Sequence, residues 1–174
     1  LKAALIGGAT KLPRYSPPDQ KADIHQGFGR VDLKSIVIPP APGAVYIYDG
    51  FEMSDNLNTG EVAEFKIVVK SPAVALRVAM AYTDFPGPNL VNNLNLMLFR
   101  STRTGAGRYY VGYGDSTNKR VPDATNNAEV IHVDHPEPGT WTVQVVASNV
   151  PEGPQDFALY FSGHFRETPY RVSP

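Results

Sequence analysis

Eight short stretches between residues 44 and 163 carry strand signals, and in the clearest of them apolar and polar residues alternate with a period of two. In one of them, Trp141, Val143 and Val145 fall on one face of an extended chain, and Thr142 and Gln144 fall on the other. Such alternation, bounded by turn residues and without helical periodicity between the stretches, predicts half-buried antiparallel strands. Eight strands favour a mainly β fold, a jelly-roll-like sandwich. The predicted strands are residues 44–51, 61–70, 75–82, 90–99, 108–114, 128–133, 140–147 and 156–163.

The inward positions of these strands predict the core of the sandwich. They are large aliphatic or aromatic residues spaced two apart, as a strand that buries one face requires. The predicted core residues are Phe65, Ile67, Val69, Leu76, Val78, Met80, Leu94, Leu96, Leu98, Val130, Trp141, Val143, Val145, Phe157 and Leu159.

The segment before the strands lacks the strand pattern and begins with a short predicted helix. Leu1, Ala4 and Leu5 form a helical stripe, which Gly7 and Gly8 end. A polar loop follows over residues 10–26, and a proline-rich linker spans residues 38–43. We therefore expect three parts: an N-terminal segment and linker (1–41), the β-sandwich (42–165), and a frayed or draped tail (166–174). The chain opens on Leu1 without a targeting segment, so we expect it to be a processed piece of a longer protein.

Composition excludes several classes of function. The 16 Lys and Arg residues balance 17 Asp and Glu residues, and the basic residues are scattered, which argues against nucleic-acid binding. Cysteine is absent, so disulfides, thiolate metal sites and a cysteine nucleophile are excluded. No stretch reaches 18 consecutive apolar residues, so we expect no membrane partner.

Three blocks of sequence together resemble one enzyme family. LKAALIGGAT (1–10) looks like the helix that follows the catalytic serine in subtilisin-like serine proteases, and QGFGRVDLKSIV (26–37) resembles the turn and short helix that close their catalytic domain. The third block, from ALRVAMAYTDFPG (75–87) to PEPGTWTVQVVASNVPEGPQDFAL (136–159), is similar to the β domain that follows it in large members. The resemblance covers about residues 1–163 and implies the C-terminal part of a secreted serine endopeptidase.

The same resemblance implies that this chain has no catalytic residue. The G-T-S-M-A, D-[ST]-G and H-G-T motifs that carry the family's serine, aspartate and histidine are absent. We therefore expect a non-catalytic fragment that is inactive alone. Its sandwich would stabilise the upstream catalytic domain of the same polypeptide and contact the protein substrate indirectly. We expect the N-terminal segment to pack into that catalytic domain through Ala3, Ala4, Leu5, Ile6, Phe28, Val31 and Leu33.

Oxygen-bearing side chains near one end of the strands are candidate calcium ligands. Asp84 follows one predicted strand, Asn93 and Asn95 share a face of the next, and Asn127 precedes another. Asp115, Asp123 and Asn126 lie in the polar loop beside them. Calcium takes six to eight such oxygens. Related proteins often read LVNDLDL where this chain has LVNNLNL, so the resemblance also implies a site weakened by the loss of two charges. The alternative is that these residues only form turns.

A group of histidines and a group of tyrosines each have both a functional and a purely structural interpretation. His132, Asp134 and His135 could bind a metal, but their spacing matches no common zinc pattern, and the end of a strand entering the Pro136–Gly139 turn is the favoured explanation. Histidines here, including His25 and His164, are not accompanied by a nucleophile motif such as G-x-S-x-G. Aromatic residues could instead stack sugars, as in a free-standing carbohydrate- or protein-binding module, or simply form strands. These residues are Tyr46, Tyr48, Tyr109, Tyr110 and Tyr113.

Overall fold

The protein is an antiparallel β-sandwich in a computed structural model that describes residues 1–13, 25–50, 52–100, 109–112 and 121–172 of the 174. Two short helices precede the strands: α1 (Lys2–Gly7) and α2 (Leu33–Val37). A single 3₁₀ turn covers Met53–Asp55. The strands are β1 (Ala44–Asp49), β2 (Val62–Val69), β3 (Leu76–Ala81), β4 (Asn93–Arg100), β5 (Tyr109–Val111), β6 (Ala128–Val133), β7 (Gly139–Asn149), β8 (Ala158–Gly163) and β9 (Tyr170–Arg171).

The strands form two sheets whose order is that of a jelly roll. The four-stranded sheet has the order β1-β8-β3-β6, and the five-stranded sheet has the order β5-β4-β7-β2-β9. The first four strands alternate between the sheets, and among the strands of the described residues only β4 and β5 are consecutive strands that pair with each other. The prediction of a mainly β, jelly-roll-like sandwich is confirmed, with β9 as an additional edge strand.

The main core lies between the two sheets and confirms all but one of the predicted core positions. Trp141 and the Leu residues of β4 are completely buried there, and the Nε1 of Trp141 donates to the carbonyl of Glu137 at 2.9 Å. The prediction for Val130 is wrong. Ile131 and Val133 face the main core from β6, while Val130 lies on the opposite face of the strand. Because the strand period is two, a one-residue error in phase exchanges the two faces.

A second, smaller core lies on the outer face of the four-stranded sheet, where α1 packs. Its buried members are Ala3 and Ala4 of α1 with Ala79, Ala81, Ala128 and Tyr160 of the sheet. Small side chains let the helix approach closely: a Cβ added to Gly7 would lie 2.2 Å from Cδ1 of Tyr160. The sheet of this same chain therefore buries Ala3 and Ala4, which were expected to pack into another domain. Leu1, the first residue of the predicted helical stripe, precedes α1 and is 87% exposed.

The C-terminal stretch, expected to be frayed or draped, forms a strand along the edge of β2. Tyr170 and Arg171 pair with Lys66 and Phe65, and the backbone N–H of Val172 donates to the carbonyl of Glu64 at 2.8 Å. Arg171 also contacts the hydroxyl of Tyr48 at 2.9 Å and the carboxylate of Asp55. The sequence pattern misses this strand because only two residues belong to it.

Candidate functional site

Two of the four predicted calcium ligands are already engaged by groups of the protein. Asp84 closes the β3–β4 loop: its Oδ2 accepts from the backbone N–H of Val91 at 2.7 Å, and its Oδ1 accepts from that of Asn92 at 2.8 Å. The Oδ1 of Asn127 accepts from the Nζ of Lys2 at 2.7 Å. Asp84 therefore behaves as a turn residue, and Asn127 already has an ammonium group as its cationic neighbour.

The other two predicted ligands lie together on the outer face of β4. Asn93 and Asn95 are two residues apart on one strand, so their side chains leave the same face. Asn95 is 1% exposed, and its Nδ2 donates to the Oγ of Ser148 at 2.6 Å. In both residues the buried Oδ1 has no hydrogen-bond partner among the described residues. An unpaired buried acceptor costs free energy, and a bound water or ion would supply the missing partner for these oxygens.

The described end of the polar loop before β6, residues 121–127, is held by its own hydrogen bonds. The Oδ1 of Asp123 accepts from the backbone N–H of Thr125 at 2.8 Å and from its Oγ1 at 2.8 Å, and the Oδ2 accepts from the Nδ2 of Asn126 at 2.8 Å. This is the turn that Asp forms with residues just after it. Asp115, also considered as a ligand, lies outside the described residues. In the part of the chain that the structure describes, no three His, Asp or Glu side chains are grouped to hold a metal.

Glu129 is the feature that the sequence analysis missed. It is completely buried on β6, and its Oε2 accepts from the backbone N–H of Leu96 at 2.8 Å, just beyond the last β4–β5 residue pair, where the carbonyl of Leu96 accepts from the backbone N–H of Gly112 at 2.7 Å. Its Oε1 has no partner among the described residues. Gly112 packs so closely that an added Cβ would lie 2.3 Å from Oε2. Burial raises the pKa of Glu129 to about 8, and the nearby charge of Asp123 contributes. The signal available in the sequence was a lone acidic residue in the apolar run AEVIHV.

A buried polar network fixes the loops beside these residues. The Nδ2 of Asn92 donates to the Oε1 of Gln155 at 2.8 Å and to the carbonyl of Glu152 at 2.8 Å. The Nε2 of Gln155 donates in turn to the carbonyl of Thr83 at 3.0 Å, and the hydroxyl of Tyr82 donates to the carbonyl of Asn92 at 2.8 Å. Satisfied buried networks of this kind hold loops rigidly. The β3–β4 and β7–β8 loops are therefore joined at this end of the sandwich.

Arg77 joins the N-terminal segment to the four-stranded sheet. It lies on the outer face of the central strand β3, and its Nη1 donates to the carbonyl of Ala9 at 3.0 Å and to that of Gly7 at 3.5 Å. These carbonyls lie at the C-terminal end of α1, where a cation is favourable. Burial lowers the pKa of Arg77. The guanidinium thus caps the helix and fixes it to the sheet.

The segment around α2 presents apolar side chains to solvent. Asp32 caps this helix: its Oδ1 accepts from the backbone N–H of Ser35 at 3.1 Å, and its Oδ2 accepts from the Ser35 Oγ at 2.7 Å. Val31 and Leu33 are 53% and 60% exposed, and Val37 and Ile38 are 74% and 68% exposed. We call these four residues the α2 surface. Neighbouring apolar residues exposed together are typical of a contact surface.

The histidine and tyrosine candidates have local structural roles. Burial, chiefly, lowers the pKa of His132 to about 4, although its Nε2 lies 2.8 Å from Oδ1 of Asp134. The rings of Tyr46, Tyr48 and Tyr110 pack against Phe165, Phe65 and Trp141 respectively, with centroids 5.8, 4.7 and 6.0 Å apart. All three residues are half-buried, so these contacts give their rings a structural role in the sandwich. The side chain of Tyr109 and all of Tyr113 lie outside the described structure.

Comparisons with known proteins do not identify a family. No protein-family model matches the chain, and no curated protein matches it. A protein of Sulfurospirillum deleyianum, known from its crystal structure, is similar over 70% of this chain and 97% of its own, with 7% sequence identity and a TM-score of 0.36. A similarity at that level carries no argument about function. Among the described residues, no helix is long and apolar enough to span a membrane.

Proposed function

We propose that this chain is the C-terminal, non-catalytic part of a subtilisin-like serine endopeptidase that is secreted. Its sandwich stabilises the catalytic domain and contributes to the side that binds the protein substrate. The support from the sequence is the order of three blocks, from LKAALIGGAT (1–10) through QGFGRVDLKSIV (26–37) to the strands of the sandwich.

The observation that carries the proposal is the α2 surface. It lies within the block that resembles the end of the catalytic domain, and it exposes Val31, Leu33, Val37 and Ile38 although the rest of the segment is anchored to the sandwich. The upstream catalytic domain is the occupant that this continuity favours. Burying an apolar side chain there contributes roughly 1.5–3 kcal/mol per residue, which is enough to couple the stability of the two parts.

A substitution tested in two contexts separates docking from folding. Val37→Asp changes a side chain that is 74% exposed, so the melting temperature of the 174-residue chain should not move. In the native polypeptide that includes the upstream sequence, the same substitution should lower the temperature at which peptidase activity is lost. Met53→Asp is the matched control, because Met53 is 81% exposed away from the α2 surface and should have no effect in either context.

An active-site serine probe tests the activity itself. A fluorophosphonate should label the longer native polypeptide and leave the 174-residue chain unlabelled. Absence of labelling in the folded longer polypeptide would refute the protease proposal. If the longer polypeptide is labelled but Val37→Asp and wild type lose activity at the same temperature, the protease proposal stands. The role proposed for the α2 surface is then refuted.

Calcium binding is a second proposal, favoured by the unpaired oxygens of Asn93 and Asn95. Affinity for calcium increases with the number of charged ligands. Asn95→Asp should therefore strengthen calcium binding measured by calorimetry, whereas Asn58→Asp, which makes the same charge change at an exposed turn, should not. An unchanged melting temperature of both variants at millimolar calcium would contradict the proposal.

A further inference from the structure

The edge of β2 that faces the C-terminal stretch is formed by its even-numbered residues. The carbonyls of Glu64 and Val68 accept from the backbone N–H groups of Val172 and Arg166, each at 2.8 Å. The N–H of Lys70 donates to the carbonyl of His164 at 2.7 Å. Residues 166–172, which we call the strap, thus cover an edge whose free backbone groups would otherwise pair with another strand.

The strap is attached to this edge discontinuously. Phe165 is opposite Val69, whereas Tyr170 is opposite Lys66, so the strap has two more residues than β2 between these pairs. Such an irregularity disrupts the ladder and leaves the extra residues unpaired. Arg166, Glu167 and Thr168 are exposed, and Tyr170 is 52% exposed. The ring of Phe165, just before the strap, is buried, so the strap can leave the edge without opening the core.

The outer face of β2 is complementary to itself. Its side chains in order are Val62, Glu64, Lys66 and Val68. If two copies of β2 paired antiparallel about Phe65, Glu64 of each copy would lie opposite Lys66 of the other, and Val62 would lie opposite Val68. Directly opposed charges of opposite sign and apolar pairs stabilise adjacent strands. In this register even-numbered residues pair with even-numbered residues. This is required because the backbone N–H and C=O groups along this edge of β2 belong to its even-numbered residues.

We propose that the β2 edge is a dimerisation surface for a second copy of this chain, and that the strap is the cover that keeps it closed. The paired dimer would be symmetric, with two Glu64–Lys66 contacts across the two-fold axis. Within one chain, Lys66 Nζ already lies 2.7 Å from Glu64 Oε1, and both side chains are about one-third exposed (29% and 31%). The charges are therefore placed at the surface where a second copy can reach them.

Because the strap is covalently attached to the chain, it occupies the β2 edge of the intact chain in preference to a second copy. A segment tethered by a short linker has an effective concentration on the order of millimolar at its own site. A second copy at micromolar concentration cannot compete with it. Removal or detachment of the strap removes this advantage, and the exposed edge then pairs.

The experiment compares the full chain with a chain that ends at Phe165. The full chain should have the mass of a monomer by light scattering, and the shortened chain should have the mass of a dimer. In the shortened chain, Lys66→Glu places like charges opposite each other and should weaken the dimer at least tenfold. The double variant Glu64→Lys/Lys66→Glu exchanges the charges and should restore it.

A folded shortened chain that remains monomeric up to about 1 mM, the effective concentration of a tethered segment, would overturn the proposal. A dimer insensitive to Lys66→Glu would also overturn it. If the shortened chain does not fold, the full chain with Arg171→Ala/Val172→Pro tests the same idea. That variant loses the contacts of Arg171 and the N–H that donates to Glu64, and it should dimerise in a Lys66-dependent way. If this variant folds and remains a monomer, the proposal that the strap covers a dimerisation edge is overturned.

Discussion

Glu129→Gln should remove most of the fall in the stability of this protein between pH 6.5 and pH 8. Glu129 is completely buried, and its Oε2 accepts from the backbone N–H of Leu96 while Oε1 has no partner among the described residues. Ionisation would place an uncompensated charge between the sheets, which is why the folded protein holds the proton. The amide of Gln can accept from the same N–H but does not ionise.

The sign and the size of this pH dependence follow from the difference between the pKa of Glu129 in the folded and the unfolded states. The pKa of Glu129 is raised from 4.5 to about 8 in the folded protein. Between these pH values the folded protein keeps a proton that the unfolded chain has released, so the free energy of unfolding falls as pH rises. The slope is about 1.4 kcal/mol per pH unit. Below about pH 6.5 His132 contributes the opposite slope, because its pKa is lowered from 6.5 to about 4 and the unfolded chain binds a proton that the folded protein does not. From pH 6.5 to pH 8 the loss due to Glu129 is at most about 2 kcal/mol, compared with the roughly 5–15 kcal/mol typical of a domain.

Urea unfolding at pH 6.5, 7, 7.5 and 8, in the presence of a calcium chelator, measures the slope due to Glu129 above the range in which His132 titrates. The wild type should lose stability steadily over this range, and Glu129→Gln should give a much flatter line. The exposed Glu52→Gln serves as the control and should retain the wild-type slope. Parallel lines for wild type and Glu129→Gln would contradict this expectation, because Glu129 would then not carry the proton.

Three other substitutions test the packing of the N-terminal segment and the core. Arg77→Met removes the donors to the carbonyls of Gly7 and Ala9, and it should lower the free energy of unfolding by about 1–3 kcal/mol and accelerate amide exchange in α1. Gly7→Ala places a Cβ 2.2 Å from Cδ1 of Tyr160 and should cost about 1–3 kcal/mol in the same unfolding assay, because the helix must move off the sheet. Trp141→Ala empties a completely buried position and should lower stability by about 3–5 kcal/mol, measured by circular dichroism because the only tryptophan is lost.

Periodicity in the sequence is enough to predict the strands that bury one face against the main core. β2 and β7 are examples, since Phe65 and Trp141 each belong to a clear alternation. Periodicity does not show which strands have their second face covered as well. In β3, α1 covers the outer face, so Ala79 and Ala81 are as buried as Met80. The same helix explains why Val130, on the outer face of β6, resembled a core residue.

The candidate site was less predictable than the fold because its properties depend on contacts distant in sequence. Asn93 and Asn95 were recognised from their spacing, but Lys2 reaches Asn127 across 125 positions. Glu129 is unusual only because β5 ends beside it and leaves the N–H of Leu96 for its carboxylate. Neither the end of a strand nor the burial of one acidic residue can be predicted from local pattern alone.

The order of strands in the four-stranded sheet also constrains how the chain can be made. β8 lies between β1 and β3, so the first strand of the sandwich cannot join its sheet until residue 163 has been synthesised. Pairing between distant segments of this kind is slow, and partly made chains expose apolar faces meanwhile. During synthesis, the N-terminal helix must therefore wait for the last strands before the surface on which it packs exists.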